Sequence, residues 1–513
     1  MAEVKQKSIK KNFIMNAILT MSGFIFPLIS FPYIAEVLGP SGTGRVKFAT
    51  SIVAYFSMFA QLGIPTYGIR VCAKVRDNKE ELSKTVHELL FINLLMSAVA
   101  YALFFASLFV VPKFRSNKLL LVIISLTIFF NAIGIEYLYR ALEYYTYITV
   151  RSVVFKIIGI LSMFFLVKSE SDFVVYGAIT IFAGSASNIL NFINSRKLIN
   201  YKWYGKYALK KHYKAIIVFF AMSCATTIYL NLDGIMLGFM TTDADVGYYD
   251  AAVKIKTILV SVVTSLGTVL LPRASYYVEN GEFDEFKRIT DKALNFVLIL
   301  ATPLMIYFII FAREGVLFLS GEKFVPSIFA MQIIMPTILF IGVTNIMGIQ
   351  ILVPLGLEKI VLYSEIAGAI IDLIINALLI PYMKSAGAAL GTTIAELVVF
   401  VVQYHFLVYI FKSNSKTKKN NSKIKEIDIN IRESYAKISY WKIAVGVTVA
   451  TLVSLLIKIV DVSVITKSIR LQSFISLGAS SILFFGVYLL VMLLTQDSLT
   501  KEIMDSVIKK IKK

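Results

Sequence analysis

Residues 13–37 read FIMNAILTMSGFIFPLISFPYIAEV, and Lys5, Lys7, Lys10 and Lys11 stand just before them. A basic start ahead of an apolar run imitates a secretion signal. This run is too long for a signal core and has no small-x-small cleavage site, so it reads as an uncleaved membrane-spanning helix. Such a helix needs about 20 apolar residues to cross a hydrocarbon core of about 30 Å. Comparable stretches recur along all 513 residues, from 45–68 to 471–494, and fourteen are expected in total. None alternates apolar and polar residues in the manner of barrel strands, and backbone in lipid must bond internally, so each reads as a helix. The expected fold is an all-α polytopic membrane protein.

Composition agrees. The chain is 57% hydrophobic and only 16% charged, with a mean hydropathy of +0.75, against about 25% charged in soluble domains. A soluble enzyme is excluded. The net charge of +20 is read as basic loops beside anionic lipid, not as a nucleic-acid surface. Two cysteines and three histidines provide no disulfide framework, zinc cluster or haem site. No GxxxxGK[ST] stretch occurs, so the chain has no nucleotide motor, and no cofactor is expected.

Lysine and arginine set the orientation. With the N-terminus inside, inner segments hold 37 of them and outer segments 14. That bias places both termini in the cytoplasm. The basic loops Ser195–Lys214 and Lys412–Lys442 divide the chain into an N-terminal six-helix lobe (1–211), a second six-helix lobe (212–412), a cytoplasmic loop (413–442) and a closing helix pair with a basic tail (443–513). Trp203 and Trp441 lie in those loops at headgroup level.

A repeat is faintly legible. Leu38-Gly39 and Gly44 stand between the first and second helices, and Leu237-Gly238 and Gly247 between the seventh and eighth. Six-helix parallel repeats are a transporter architecture that holds substrate between its halves. Lys47 and Asp250 each follow their matched glycine by three residues.

Charges inside apolar helices cost about 2.5–3.5 kcal/mol each at the bilayer centre on insertion scales, so they mark function or a partner. Glu136 and Arg140 are spaced for a helical ion pair. Arg151 and Lys156 have no acid within a turn of their own helix; Arg151 lies near the inner edge, whereas Lys156 is deep. Asp250 and Lys254 are spaced to neutralise each other, leaving Lys256 on a neighbouring face. A cavity walled by Lys47, Lys156, Lys254 and Lys256, with Arg151 near its inner edge, would suit a phosphate or diphosphate. Asp233, Asp372 and Glu396 offer protonatable carboxylates or a cation site; paired or hydrated core residues are the competing reading. Asp243-Ala-Asp245 spells the DxD of metal-dependent glycosyltransferases, but the expected outer loops are too short to carry a catalytic domain, and His87, His212 and His405 lack metal-ligand spacing.

The string Phe31-Pro32-Tyr33 through Leu38-Gly39, then Gly44, Phe48, Tyr55, Leu62-Gly63 and Arg70, resembles bacterial polysaccharide flippases. Asp233-Gly-Ile-Met-Leu237-Gly238 and Val246-Gly247-Tyr248-Tyr249-Asp250 resemble the same family's second signature. These proteins carry O-antigen, capsule or exopolysaccharide repeat units, in a superfamily shared with multidrug exporters and the lipid II flippase. The resemblance implies alternating access by two six-helix lobes in the bacterial cytoplasmic membrane. The implied substrate is an oligosaccharide on undecaprenyl diphosphate, with membrane lipids, a glycan polymerase and glycosyltransferases of the pathway as partners. The lipid II flippase has arginines within its first helix that serve the diphosphate, and Ala17–Val37 here has none. That departure favours a polysaccharide-unit flippase; a drug or metabolite exporter, or a lipid II flippase, is the alternative.

Overall fold

A computed structural model describes residues 9–205, 207–265, 267–414, 440–459, 466–497, 499–502 and 504–505. Most of the cytoplasmic loop expected at 413–442, the first eight residues and the last eight lie outside the described residues.

Among the described residues the secondary structure is helical, and eleven helices are long and apolar enough to cross a membrane. The first, α1 (Ile9–Gln61), runs for 53 residues, about 80 Å if straight at 1.5 Å per residue. It is not straight. Gly39 has φ 63 and ψ −175, a conformation that a Cβ would oppose. Pro40 opens the second arm, where its missing N–H costs nothing, and the Thr43 hydroxyl donates to the Gly39 carbonyl at 2.9 Å. The bend joins the expected first and second spans without a loop. Two further expected spans are special in composition: α5 (Lys118–Gly134) is a shorter apolar helix, and α11 (Asp243–Thr264) carries Asp243, Asp245, Asp250, Lys254 and Lys256.

Packing divides the chain into two units, Met1–Gly247 and Tyr248–Lys513. In the first, α7 (Tyr145–Leu166) and α10 (Lys210–Met240) both lie against α1. At one end α2 (Ile64–Lys74), α3 (Lys79–Val110) and α6 (Glu136–Ala141) enclose a cluster that includes Tyr67, Val86, Leu89 and Leu138. A polar node is sealed beside it. His212 and Glu88 are fully buried; the ring meets the Tyr67 hydroxyl at 2.7 Å and the Glu88 carboxylate at 2.9 Å, while Lys211 reaches Glu88 at 2.8 Å. This node pins the start of α10 to α2 and α3.

In the second unit, α17 (Glu358–Met383) and α18 (Ser385–Asn414) form the most extensive helix pair. Small residues let their backbones approach, with Gly368 facing Ala395 and Val399 and Gly391 facing Asn376, as membrane helix interfaces commonly require. The closing pair, α19 (Tyr440–Leu455) and α20 (Ile469–Leu494), docks on α13 (Phe283–Ile310). There the Tyr307 hydroxyl donates to Leu477 O at 2.8 Å and that of Tyr488 to Ile299 O at 3.0 Å.

Candidate functional site

Lys156 stands halfway along the 22-residue α7, about 16 Å from its start. Its Nζ donates to Ser22 Oγ at 2.8 Å and lies 5.9 Å from the centroid of the Phe26 ring. Ser22 and Phe26 are one turn apart on the first arm of α1, so they present one face to α7. Both partners are neutral. No carboxylate pairs with Lys156 among the described residues, so a positive charge stands in the middle of a helix pair with only a hydroxyl and a ring face to hold it.

Arg151, five residues earlier, is placed differently. It is buried, and its guanidinium donates to Ser187 O at 2.9 Å, Asn188 Oδ1 at 3.1 Å and Glu136 Oε2 at 3.2 Å. Glu136 also accepts from Arg140 at 2.7 Å, the ion pair expected from their spacing. The acid for Arg151 comes from α6, which spacing along α7 cannot reveal. Of the two cations on α7, Arg151 is held by a carboxylate and by amide and carbonyl oxygens, whereas Lys156 is held by a hydroxyl and a ring face.

Lys47 lies on the second arm of α1 and faces α10. Its stem passes Gly234, where Cε lies 3.5 Å from the position a Cβ would take, and the neighbouring Asp233 is buried. Two residues nearer the bend, Arg45 Nε pairs with Asp243 Oδ2 at 3.1 Å, and Lys113 Nζ meets Asp243 Oδ1 at 3.0 Å. Asp245 accepts from the Thr242 hydroxyl at 2.7 Å while its own N–H bonds back to that hydroxyl at 3.3 Å, a reciprocal helix cap. Both acids of the DxD string therefore have structural partners. The matched glycines of the repeat meet here: a Cβ on Gly44 would fall 1.8 Å from Asp243 O, and one on Gly247 would fall 2.0 Å from Pro40 O.

In the second unit, Asp250 and Lys254 form the ion pair that their spacing predicts. Lys256 is half-buried on the same helix. Asp372 is 2% exposed and sits in the α17–α18 seam, where its Oδ1 lies 3.1 Å from the position of a Cβ on Gly391. Glu396, on α18, is also buried.

Sequence reasoning followed charge and missed a neutral cavity of about 370 Å³ in the first unit, between α1, α5 and α10. Its polar lining comes in pairs spaced by four: Ser57 and Gln61, Thr127 and Asn131, Thr227 and Asn231. Residues four apart share a helix face, so this spacing was the available signal. Uncharged residues in apolar helices are cheap enough to pass unnoticed.

The sequence profile of the family described as "Polysaccharide biosynthesis protein" matches residues 9–278. A candidate O-antigen transporter of Escherichia coli (strain K12) is 22% identical over 406 residues, covering 78% of this chain and 97% of that protein. A second candidate O-antigen transporter, from Shigella dysenteriae, is 25% identical over 406 residues, covering 76% and 98%. Among solved structures, the lipid II flippase MurJ in an inward-closed conformation is similar in fold, with a TM-score of 0.69 at 16% identity, covering 93% of this chain and 99% of that one.

Proposed function

The chain belongs to the polysaccharide biosynthesis protein family, within the superfamily of polysaccharide flippases, and from that membership we propose that it turns undecaprenyl-diphosphate-linked oligosaccharide repeat units from the inner to the outer leaflet of a bacterial cytoplasmic membrane. The route is alternating access by two six-helix lobes within fourteen crossings, and the process serves O-antigen, capsule or exopolysaccharide assembly. The observation that carries this reading is Lys156. An ammonium at mid-helix with only neutral neighbours is costly in lipid unless an anion visits it, and a diphosphate entering the bilayer brings that anion. Lys47 in the first unit and Lys254 and Lys256 in the second supply further cations of the same chemistry, while Arg151 keeps the inner end of α7 in place.

Flipping is measured with the purified protein in vesicles containing undecaprenyl-diphosphate-linked N-acetylglucosamine, followed by the appearance of the sugar to an outside lectin. Rates equal to those of empty vesicles sink the reading. The same vesicles address energy coupling. Asp372, Glu396 and Asp233 are the carboxylates through which a proton gradient would act, because protonation shifts a conformational balance only where the two states bind the proton differently. An imposed pH gradient is expected to change the wild-type rate, and Asp372→Asn is expected to remove that dependence. Equal indifference of both proteins to the gradient leaves mass action as the drive.

Orientation is tested separately. Reporters fused at Asn414 and at the C-terminus should both read cytoplasm, as the excess of lysine and arginine in the intended inner segments requires. An outside signal from either overturns this orientation.

A further inference from the structure

We propose that the neutral cavity between α1, α5 and α10 is a subsite for an uncharged sugar ring, and that it discriminates against sugars carrying a carboxylate. This rests on the flippase reading and adds to it the chemical class of the glycan. None of the fifteen residues lining the cavity is ionisable. Val53, Met58, Ile124 and Leu230 supply apolar surface for the C–H faces of a ring. The volume lies at the small end of the range of about 300–1,000 Å³ for small-molecule sites, which suits a sugar ring better than a whole repeat unit.

Hydrogen bonds already made within the protein fix what the remaining polar atoms present. Asn131 Oδ1 accepts from Asn188 Nδ2 at 3.2 Å, so Asn131 offers its Nδ2 donors. Asn188 is itself held by Arg151, so the Arg151–Glu136 ion pair positions Asn131 from behind. Asn231 Nδ2 donates to Thr227 O at 3.1 Å, and Gln61 Nε2 donates to Ser57 Oγ at 2.8 Å. Each therefore keeps a carbonyl oxygen as acceptor. Thr127 Oγ1 is buried with no hydrogen-bond partner. Donors and acceptors on three walls match hydroxyl and acetamido groups, which are themselves both donors and acceptors. A uronic acid would bring a carboxylate to walls that hold no cation, a desolvation cost without compensation.

The test uses the full chain in lipid nanodiscs and displacement of radiolabelled undecaprenyl diphosphate. Three unlabelled competitors are compared: undecaprenyl diphosphate, its N-acetylglucosamine form and its glucuronic acid form. The acetylglucosamine lipid should bind about tenfold more tightly than the bare carrier, as one or two neutral hydrogen bonds allow, and the glucuronate lipid no more tightly than the carrier. Asn231→Leu should lower the sugar-dependent gain by about threefold to tenfold while leaving affinity for the bare carrier unchanged. Thr127→Val should do the same. It replaces an unpartnered buried hydroxyl by a methyl group, so it should melt no lower than wild type, which separates sugar contact from a folding defect. Equal affinity for the three lipids, or variants that keep the gain, overturns the subsite. If the bare carrier fails to bind at all, the flippase reading fails and takes the subsite with it, so the two failures look different.

Discussion

Lys156→Ala is expected to cut the flipping rate by about 10–100-fold, the cost of losing a charge-assisted contact of about 1.5–3 kcal/mol to a phosphate, without lowering protein yield or melting temperature. The stability half follows from the partners. Ser22 and Phe26 are neutral, so removing the ammonium strands no opposite charge and relieves the cost of keeping a cation in a helix pair. A structural lysine gives the reverse pattern, with stability lost and transport per folded molecule retained. Lys156→Arg, which preserves the charge, should recover part of the rate. Normal flipping by the alanine variant rules out the diphosphate role.

The other large effect is on folding. Gly247→Ala and Gly44→Ala should each remove most of the folded protein from detergent extracts, with a loss exceeding about 3 kcal/mol, at or beyond the usual range for overpacking. The added Cβ would fall 2.0 Å from Pro40 O in the first case and 1.8 Å from Asp243 O in the second. Both obstacles are backbone, so no side chain can swing aside. A melting temperature within a degree or two of wild type for either variant would show that the corner opens freely.

Much of this was legible in the sequence because membrane-spanning segments advertise themselves through length and hydropathy. Helical spacing likewise exposed the Glu136–Arg140 and Asp250–Lys254 pairs, whose partners are four residues apart. What spacing cannot convey is tertiary. Arg151 looked unpaired because its acid sits on another helix, at Glu136. Gly44 and Gly247 read as copies of a repeat; they are also touching surfaces, a fact invisible to any comparison of one segment with the other. Asp243 and Asp245 spell a metal-binding string that the short outer loops argue against, but spacing does not show what they do instead: one serves Arg45 and Lys113 and the other caps its own helix. The neutral cavity leaves little trace in the sequence because amides and hydroxyls barely change the hydropathy of the helices that carry them.

The Arg45–Asp243 pair spans 198 positions of chain, and this has a meaning in time as well as in space. A ribosome delivers Arg45 early and Asp243 only after α10 has been made. Throughout that interval the bend of α1 carries Arg45 without this acid, and the glycine contact that locks the corner does not yet exist. At a synthesis rate of about 5–20 residues per second, the wait lasts on the order of 10–40 seconds. The first helices to emerge therefore cannot reach their final packing one by one. Only when residue 247 has been made can the unit close on its own beginning, with the ion pair and the glycine contact formed together.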